Sequence, residues 1–354
     1  MKFLMAGGGT GGHIIPALAV AEELRRRGHE PVFVGTRTGM EARLVPEAGF
    51  PIEWIEIGGL NRVGLLRRLK TLWQLPLSVL KVSGLLGRHR AGAVFSMGGY
   101  VAGPVVLAAL VRRVPVAVME PNAIPGLTNR KLARFTARAL VNFSETLRYF
   151  PSGRALVTGV PVRAEFFSVS PKRASSAFTL LVTGGSQGSQ TLNTAGAAAW
   201  PLFAKANIPI RIIHQAGRGR ADALREAFRD SGLEGEVVEF IRDMPSAFAQ
   251  ADLIVCRSGA STVSELAAAG RPSILAPFPF AADNHQQHNA EAMRNAGAAL
   301  LLTDSQMTGQ RLFDEVSRLM ANRAELERMA AAAKSLAKPF AAQKAADVLM
   351  DLVR

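Results

Sequence analysis

Gly7-Gly8-Gly9-Thr10-Gly11-Gly12-His13 is the stretch of this sequence best suited to chemistry. Its glycines let main-chain N–H groups come close to a ligand, and the helix expected just after them adds partial positive charge, so an oxyanion or a diphosphate suits this spot. The plainer reading is a tight turn packed against its helix, but a turn alone does not need so many glycines. The spacing is not G-x-G-x-x-G followed by an acid at the end of the next strand. Gly35-Thr36-Arg37 stands where that acid belongs, which argues against a nicotinamide enzyme. His13, at the mouth of the loop, offers an imidazole that can take a proton from a hydroxyl near neutral pH. Glu120, in Met119-Glu120-Pro121-Asn122, ends a strand at the same edge and is the rival base if burial raises its pKa.

A second glycine loop, Thr183-Gly184-Gly185-Ser186-Gln187-Gly188-Ser189, repeats the anion cradle and adds hydroxyl donors. Farther on, Ser258-Gly259-Ala260-Ser261-Thr262-Val263-Ser264-Glu265 follows a strand and opens a helix. Two readings of Glu265 stand open. With Thr262 it spells a capping box, in which it satisfies main-chain donors; as a carboxylate at a strand edge it could accept both hydroxyls of a ribose. Asp283-Asn284-His285-Gln286-Gln287-His288-Asn289 supplies neutral donors and acceptors of the kind sugar hydroxyls require, or else a solvated first helical turn. His285 and His288 make two metal ligands without a third, and there is no D-x-D pair. No metal or other cofactor is expected, and diphosphate charge falls to helix termini and Arg163.

These loops need a scaffold that presents them. A chain of 354 residues exceeds what one hydrophobic core sustains, and with 48% hydrophobic and 20% charged residues it is too apolar for disorder. Short β-rich runs at 3–6, 31–35, 93–96, 115–119 and 138–143, then 178–183, 210–215, 237–241, 253–256 and 273–276, alternate with Ala/Leu-rich helical stretches. This is the pattern of parallel α/β sheets covered on both faces. The order repeats once, so two tandem Rossmann-like domains are expected, 1–160 and 161–339, with ligands in the cleft between their strand C-termini. Gly159-Val160-Pro161-Val162-Arg163 is the expected hinge. Helices are expected over 310–337 and 340–353, parted by Pro339, the last crossing back onto the first domain. The lone Cys256 allows no internal disulfide and fits a reducing compartment. The apolar start at 1–6 is too short for an export signal. The uncharged stretch 91–111 is interrupted by glycines and Pro104, so it reads as strand, loop and helix rather than a membrane span.

The net charge of +14 is unevenly placed. Residues 1–162 hold 21 Lys and Arg against nine Glu and no Asp, whereas residues 163–354 hold 21 against 19. Between Ile57 and Met119 there are nine cations and no acid, which predicts an anionic partner on that side. Within it, Leu66, Leu69, Leu72 and Trp73 share a helical face beside Arg67, Arg68 and Lys70. That pattern suits an anionic membrane surface, or else an ordinary helix whose apolar face is core. Nucleic acid is disfavoured, because one tryptophan without aromatic interleaving makes no stacking platform.

Taken in order, GGGTGGHIIPALAVAEEL at 7–24, SMGGYVAGP at 96–104, Glu120-Pro121-Asn122, Pro161-Val162-Arg163, GGSQG at 184–188, CRSGASTVSE at 256–265 and the 283–289 segment resemble the MurG family of glycosyltransferases of peptidoglycan synthesis. The resemblance implies a two-domain GT-B fold. It implies an enzyme peripheral on the cytoplasmic face of the membrane, which moves N-acetylglucosamine from UDP-N-acetylglucosamine to lipid I and so makes lipid II. It also implies donor contacts at Thr10, Gly11, Gly12, Asn122, Arg163, Ser186, Ile241, Ala260, Ser261, Thr262, Val263, Ser264, Glu265, Gln286 and Asn289. Met119 and Pro121 depart from the family's usual residues beside Glu120. Another GT-B lipid glycosyltransferase, a UDP-sugar epimerase and a non-catalytic nucleotide-sugar binder remain as alternatives.

Overall fold

The structure, a computed structural model, describes residues 1–8, 11–58, 65–170 and 177–353, leaving aside the side chains of 65–70 and 72. Contacts divide the chain into two units, Met1–Val162 with Phe340–Arg354, and Arg163–Pro339.

The first unit runs β1 (Lys2–Ala6), α1 (Gly11–Arg26), β2 (Glu30–Gly35), α2 (Glu41–Glu47), β3 (Ile52–Trp54), α3 (Leu65–His89), β4 (Ala93–Ser96), α4 (Gly99–Val111), β5 (Val116–Glu120), α5 (Leu127–Leu132), β6 (Arg138–Val141) and β7 (Ala155–Val157). Its sheet is parallel, in the order β3-β2-β1-β4-β5-β6-β7. Side chains alternate across β1. Leu4 and Ala6 join one buried layer with Val94, Val105 and Val118, while Phe3 and Met5 join the other with Phe33, Phe95 and Met119. Both faces are therefore apolar, as a parallel sheet sandwiched by helices requires.

The second unit runs α6 (Ala164–Phe167), β8 (Phe178–Thr183), α7 (Gln190–Lys205), β9 (Ile210–Gln215), α8 (Ala221–Asp230), β10 (Glu234–Val238), α9 (Met244–Gln250), β11 (Leu253–Cys256), α10 (Ala260–Ala269), β12 (Ser273–Leu275), α11 (His285–Asn295), β13 (Ala299–Leu301), α12 (Gly309–Met320) and α13 (Arg323–Ser335). Its parallel sheet has the order β10-β9-β8-β11-β12-β13. Trp200, Phe203, Leu312 and Val316 cover one face of it. The last helix, α14 (Ala341–Asp351), lays Ala345, Ala346 and Leu349 into the Phe3/Met5 layer of the first unit, and Arg27, just after α1, pairs with Asp347.

Several details differ from the sequence reading. The strands β3, β7 and β13 are three residues each, too short for a run or an alternation to stand out. The strand expected at 237–241 starts at Glu234, with exposed polar residues along an edge. The single helix expected over 310–337 is two, because Asn322 accepts the Glu325 main-chain N–H (3.1 Å) and starts a new helix. The uncharged stretch 91–111 forms β4, a turn and α4, and no helix among the described residues is long and apolar enough to cross a membrane.

In each sheet the strand order reverses once, between β1 and β4 and between β8 and β11. Neighbouring crossovers leave in opposite directions there, opening a crevice at the strand C-termini. The glycine loop before α1 follows β1, and Gly98-Gly99 follows β4. The second glycine loop follows β8, and Arg257–Ala260 follows β11.

Candidate active site

At the first crevice, His13 is the third residue of α1 and is half-buried. Gly98 and Gly99 turn the chain out of β4 with φ of +82° and +78°. A Cβ on Gly99 would stand 3.4 Å from the Gly8 carbonyl oxygen and 3.7 Å from His13 Nδ1, so the two strand-exit loops close directly on the imidazole. Gly11 and Gly12 open α1 and present its first N–H groups. Thr10 lies outside the described residues.

Glu120 ends β5 and is 1% exposed. Oε1 accepts from the Asn122 main-chain N–H (3.0 Å) and from Asn122 Nδ2 (3.2 Å); Oε2 accepts from the Gly126 N–H (3.0 Å) and from Asn129 Nδ2 (2.9 Å). Burial pushes its pKa up and the four donors pull it down. A carboxyl group so enclosed and so fully hydrogen-bonded has no lone pair to offer a substrate hydroxyl. Glu120 thus organises the loop after β5 and holds Asn122, and of the two candidate bases His13 is the less enclosed.

At the second crevice, Gly184, Ser186, Arg257, Thr262, Glu265 and Gln286 line a cleft of about 320 Å³, within the range of small-molecule sites. Gly188 has φ +70°, and a Cβ there would collide with the Ala216 carbonyl, so this turn must be glycine. Helix α10 starts at Ala260 with Gly259 as its cap and no side-chain cap bond. Thr262 is therefore already in the first turn and Glu265 in the second, which rules out the capping box. The N–H groups of Ala260, Ser261 and Thr262 at the open start of the helix face the kind of position an anion occupies. Val263 is buried, and Ser264 Oγ donates back to the Ala260 carbonyl (2.9 Å). Glu265 is half-buried; loss of solvation raises its pKa to about 7, against the pull of Arg163.

Gln286 gives its Oε1 to the Phe278 N–H (3.0 Å), leaving its NH₂ as donor toward the cleft it lines. Asn289 is fully buried and its Nδ2 donates to the Ser258 carbonyl (3.1 Å), bracing the loop before α10. The sequence reading missed two supports. Gln215, 1% exposed, donates to the Gly185 carbonyl (2.8 Å) and Thr183 Oγ1 (3.2 Å) and accepts from the Ile241 N–H (2.8 Å), tying the second glycine loop to Ile241. Arg257 pairs with Asp304 and holds the Ala276 and Pro277 carbonyls (both 3.1 Å), so its charge braces the cleft wall. The pairing His214-Gln215 at a strand end is the only trace of the first in the sequence. Among the described residues no group of His, Cys, Asp and Glu is arranged to hold a metal.

Helix α3 buries Thr71, Ser78, Val82 and Leu85 and leaves Trp73, Leu77 and Leu80 outward, 78%, 60% and 70% exposed. These three recur at i, i+4 and i+7, one stripe of the helix, with exposed Lys81 and Arg88 farther along it. Trp73 is thus not a core residue. Leu66, Arg67, Arg68, Leu69, Lys70 and Leu72 lie on the same helix, but their side chains are outside the described set.

Residues 3–141 match the model of the glycosyltransferase family 28 N-terminal domain and residues 179–348 that of its C-terminal domain. A Solibacter usitatus protein named UDP-N-acetylglucosamine--N-acetylmuramyl-(pentapeptide) pyrophosphoryl-undecaprenol N-acetylglucosamine transferase is 60% identical over all of this chain and 96% of its own length. The Myxococcus xanthus protein of the same name is 41% identical over all of this chain and 93% of its own. The crystal structure of Acinetobacter baumannii MurG superposes with a TM-score of 0.86 at 34% identity, covering 99% of both chains. With both domain models in sequence order and such identity along its whole length, this chain is a GT-B glycosyltransferase that belongs to family 28 and, within it, to the MurG N-acetylglucosamine transferases.

Proposed function

We propose that this enzyme transfers N-acetylglucosamine from UDP-N-acetylglucosamine to the muramyl 4-hydroxyl of undecaprenyl-pyrophosphoryl-MurNAc-pentapeptide, lipid I, giving lipid II for peptidoglycan. The observation that carries the site assignment is the cleft of the second unit, where the open start of α10, the second glycine loop and Glu265 stand together. Amide N–H groups and Arg163 meet the diphosphate, Glu265 accepts the ribose hydroxyls, and the Gln286 amide donates to the sugar. The first unit takes the acceptor. His13 removes the proton of the 4-hydroxyl as its oxygen attacks the anomeric carbon. The bond from that carbon to the diphosphate oxygen breaks in the same step, and UDP leaves with the electron pair. One displacement inverts the anomeric centre to a β-1,4 linkage. The test is UDP release from UDP-N-acetylglucosamine with and without a soluble lipid I analogue. Release that depends on the analogue supports transfer; release without it favours hydrolysis or epimerisation, and donor binding without release a non-catalytic binder.

The exposed stripe of α3, set in the basic half of the chain, supports contact with an anionic membrane surface, and with it a peripheral position on the cytoplasmic face where the lipid-linked acceptor lies. Trp73→Ser should lower affinity for vesicles containing phosphatidylglycerol by about tenfold, since a buried aromatic is worth roughly 1.5–3 kcal/mol. Turnover on the detergent-soluble acceptor should stay unchanged. Co-sedimentation measures the first, and equal vesicle binding by both proteins counts against this face.

A further inference from the structure

A chain of hydroxyl groups crosses the first crevice beside the glycine loop. Glu41, at the start of α2, is wholly buried, and its Oε1 accepts both from the Thr36 main-chain N–H (3.0 Å) and from Thr36 Oγ1 (2.8 Å). Thr36 follows β2 and is 4% exposed. Its Oγ1 also lies 3.2 Å from the hydroxyl of Tyr100, which follows the Gly98-Gly99 turn at the start of α4. The chain thus spans the exits of β2 and β4 and passes over the exit of β1 between them. A Cβ on Gly8 would stand 2.8 Å from both Glu41 Oε1 and Val101 Cγ2, so this group forms a wall of the loop that carries His13.

Counting hydrogens fixes its polarity. The single hydroxyl hydrogen of Thr36 goes to the carboxylate of Glu41, which can only accept. Toward Tyr100, Thr36 Oγ1 must therefore accept, and the one hydrogen of Tyr100 is committed to it. Burial holds the phenol pKa up, so the group stays neutral. What Tyr100 has left is lone pairs, and among the described residues nothing donates to them. A lone pair repels a phosphate oxygen and attracts an O–H or N–H.

We infer that Tyr100 binds the acceptor substrate by accepting a hydrogen bond from a neutral O–H or N–H of its sugar or amide groups, and that Thr36 and Glu41 are positioning residues that set the direction of the Tyr100 hydroxyl. This rests on the acceptor being held by the first unit, as proposed above. Steady-state kinetics with a detergent-soluble lipid I analogue test it. Tyr100→Phe should raise the acceptor KM about tenfold and leave kcat within about threefold and the Kd of UDP-N-acetylglucosamine within about twofold. Thr36→Val frees the Tyr100 hydrogen to point elsewhere and should raise the acceptor KM several-fold, with Thr36→Ser restoring it. Because both act on one hydrogen bond, the double variant should be no worse than Tyr100→Phe alone. Unchanged acceptor KM in Tyr100→Phe overturns the inference, as does equal weakening of donor and acceptor, and so do additive effects accompanied by falling melting temperatures, the mark of a merely structural wall. If the wild-type enzyme itself fails to use the analogue, the functional reading falls first, and the two failures are told apart.

Discussion

His13→Ala should lower kcat by about two to four orders of magnitude, the usual worth of a positioned general base, while the KM for UDP-N-acetylglucosamine moves by less than about twofold. The expectation follows from where the residue sits. His13 opens α1 at the crevice of the first sheet, with the Gly99 turn packed on its ring, whereas the cleft proposed to hold the donor is lined by residues of the second unit. Removing the imidazole therefore removes a proton acceptor and leaves the lining of that cleft alone. The acidic limb of the pH–rate profile should flatten with it, since no titrating base then governs the step. Glu120→Gln is the control that separates base from support. An amide in place of that carboxylate turns one of its two acceptors toward N–H donors, so the variant should lose about 1–3 kcal/mol of stability and melt lower, whatever it does to turnover. His13→Ala should melt near the wild-type temperature. Unchanged turnover in His13→Ala removes it as the base, and a Glu120→Gln enzyme that melts normally but does not turn over restores Glu120 to the chemistry.

What the residues disclosed beforehand was position along the chain. Glycine loops after β1 and β8 and small-residue turns after β4 and β11 are local features, so their places at strand ends could be read directly, and the reversal of strand order then put them at the crevices. What they did not disclose was which polar groups are enclosed. Glu120 and Asn289 have the types and the neighbours of ligand-contacting residues, and only the packed structure shows the first ringed by four donors and the second bonded to Ser258. Thr262 and Glu265 fit a capping box and a ribose contact equally well as a string. The capping box falls because the helix starts two residues before Thr262, a matter of how the loop leaves β11. Gln215 and the Thr36–Tyr100 pair escape a sequence reading for a plainer reason: their partners lie in loops and a helix that follow other strands, 26 to 64 residues away.

Glu265→Gln should weaken binding of UDP-N-acetylglucosamine by about 10- to 100-fold, the worth of hydrogen bonds to a charged acceptor, and should at the same time stabilise the protein at alkaline pH. Both effects come from one property. The carboxyl group sits partly buried at the cleft with its pKa raised to about 7, so the unliganded protein holds it about half protonated at neutral pH. Accepting two ribose hydroxyls calls for the carboxylate. Donor affinity should therefore fall as pH drops below 7, approaching tenfold per unit, and this dependence should vanish in the glutamine variant. Stability runs the opposite way. The group releases its proton near its ordinary 4.5 when unfolded and near 7 when folded, so its contribution is full below 4.5 and is lost as pH rises through 7. Above pH 7 the folded protein carries a penalty of up to about 3 kcal/mol that glutamine does not. Thermal melts at pH 8 should place Glu265→Gln above the wild type, and melts at pH 4.5 should place them together. A variant that keeps donor affinity shows that the ribose is held elsewhere, and one that melts lower at pH 8 shows that Glu265 supports the fold. Loss of affinity with gain of stability is the signature of a carboxylate kept partly desolvated for its ligand.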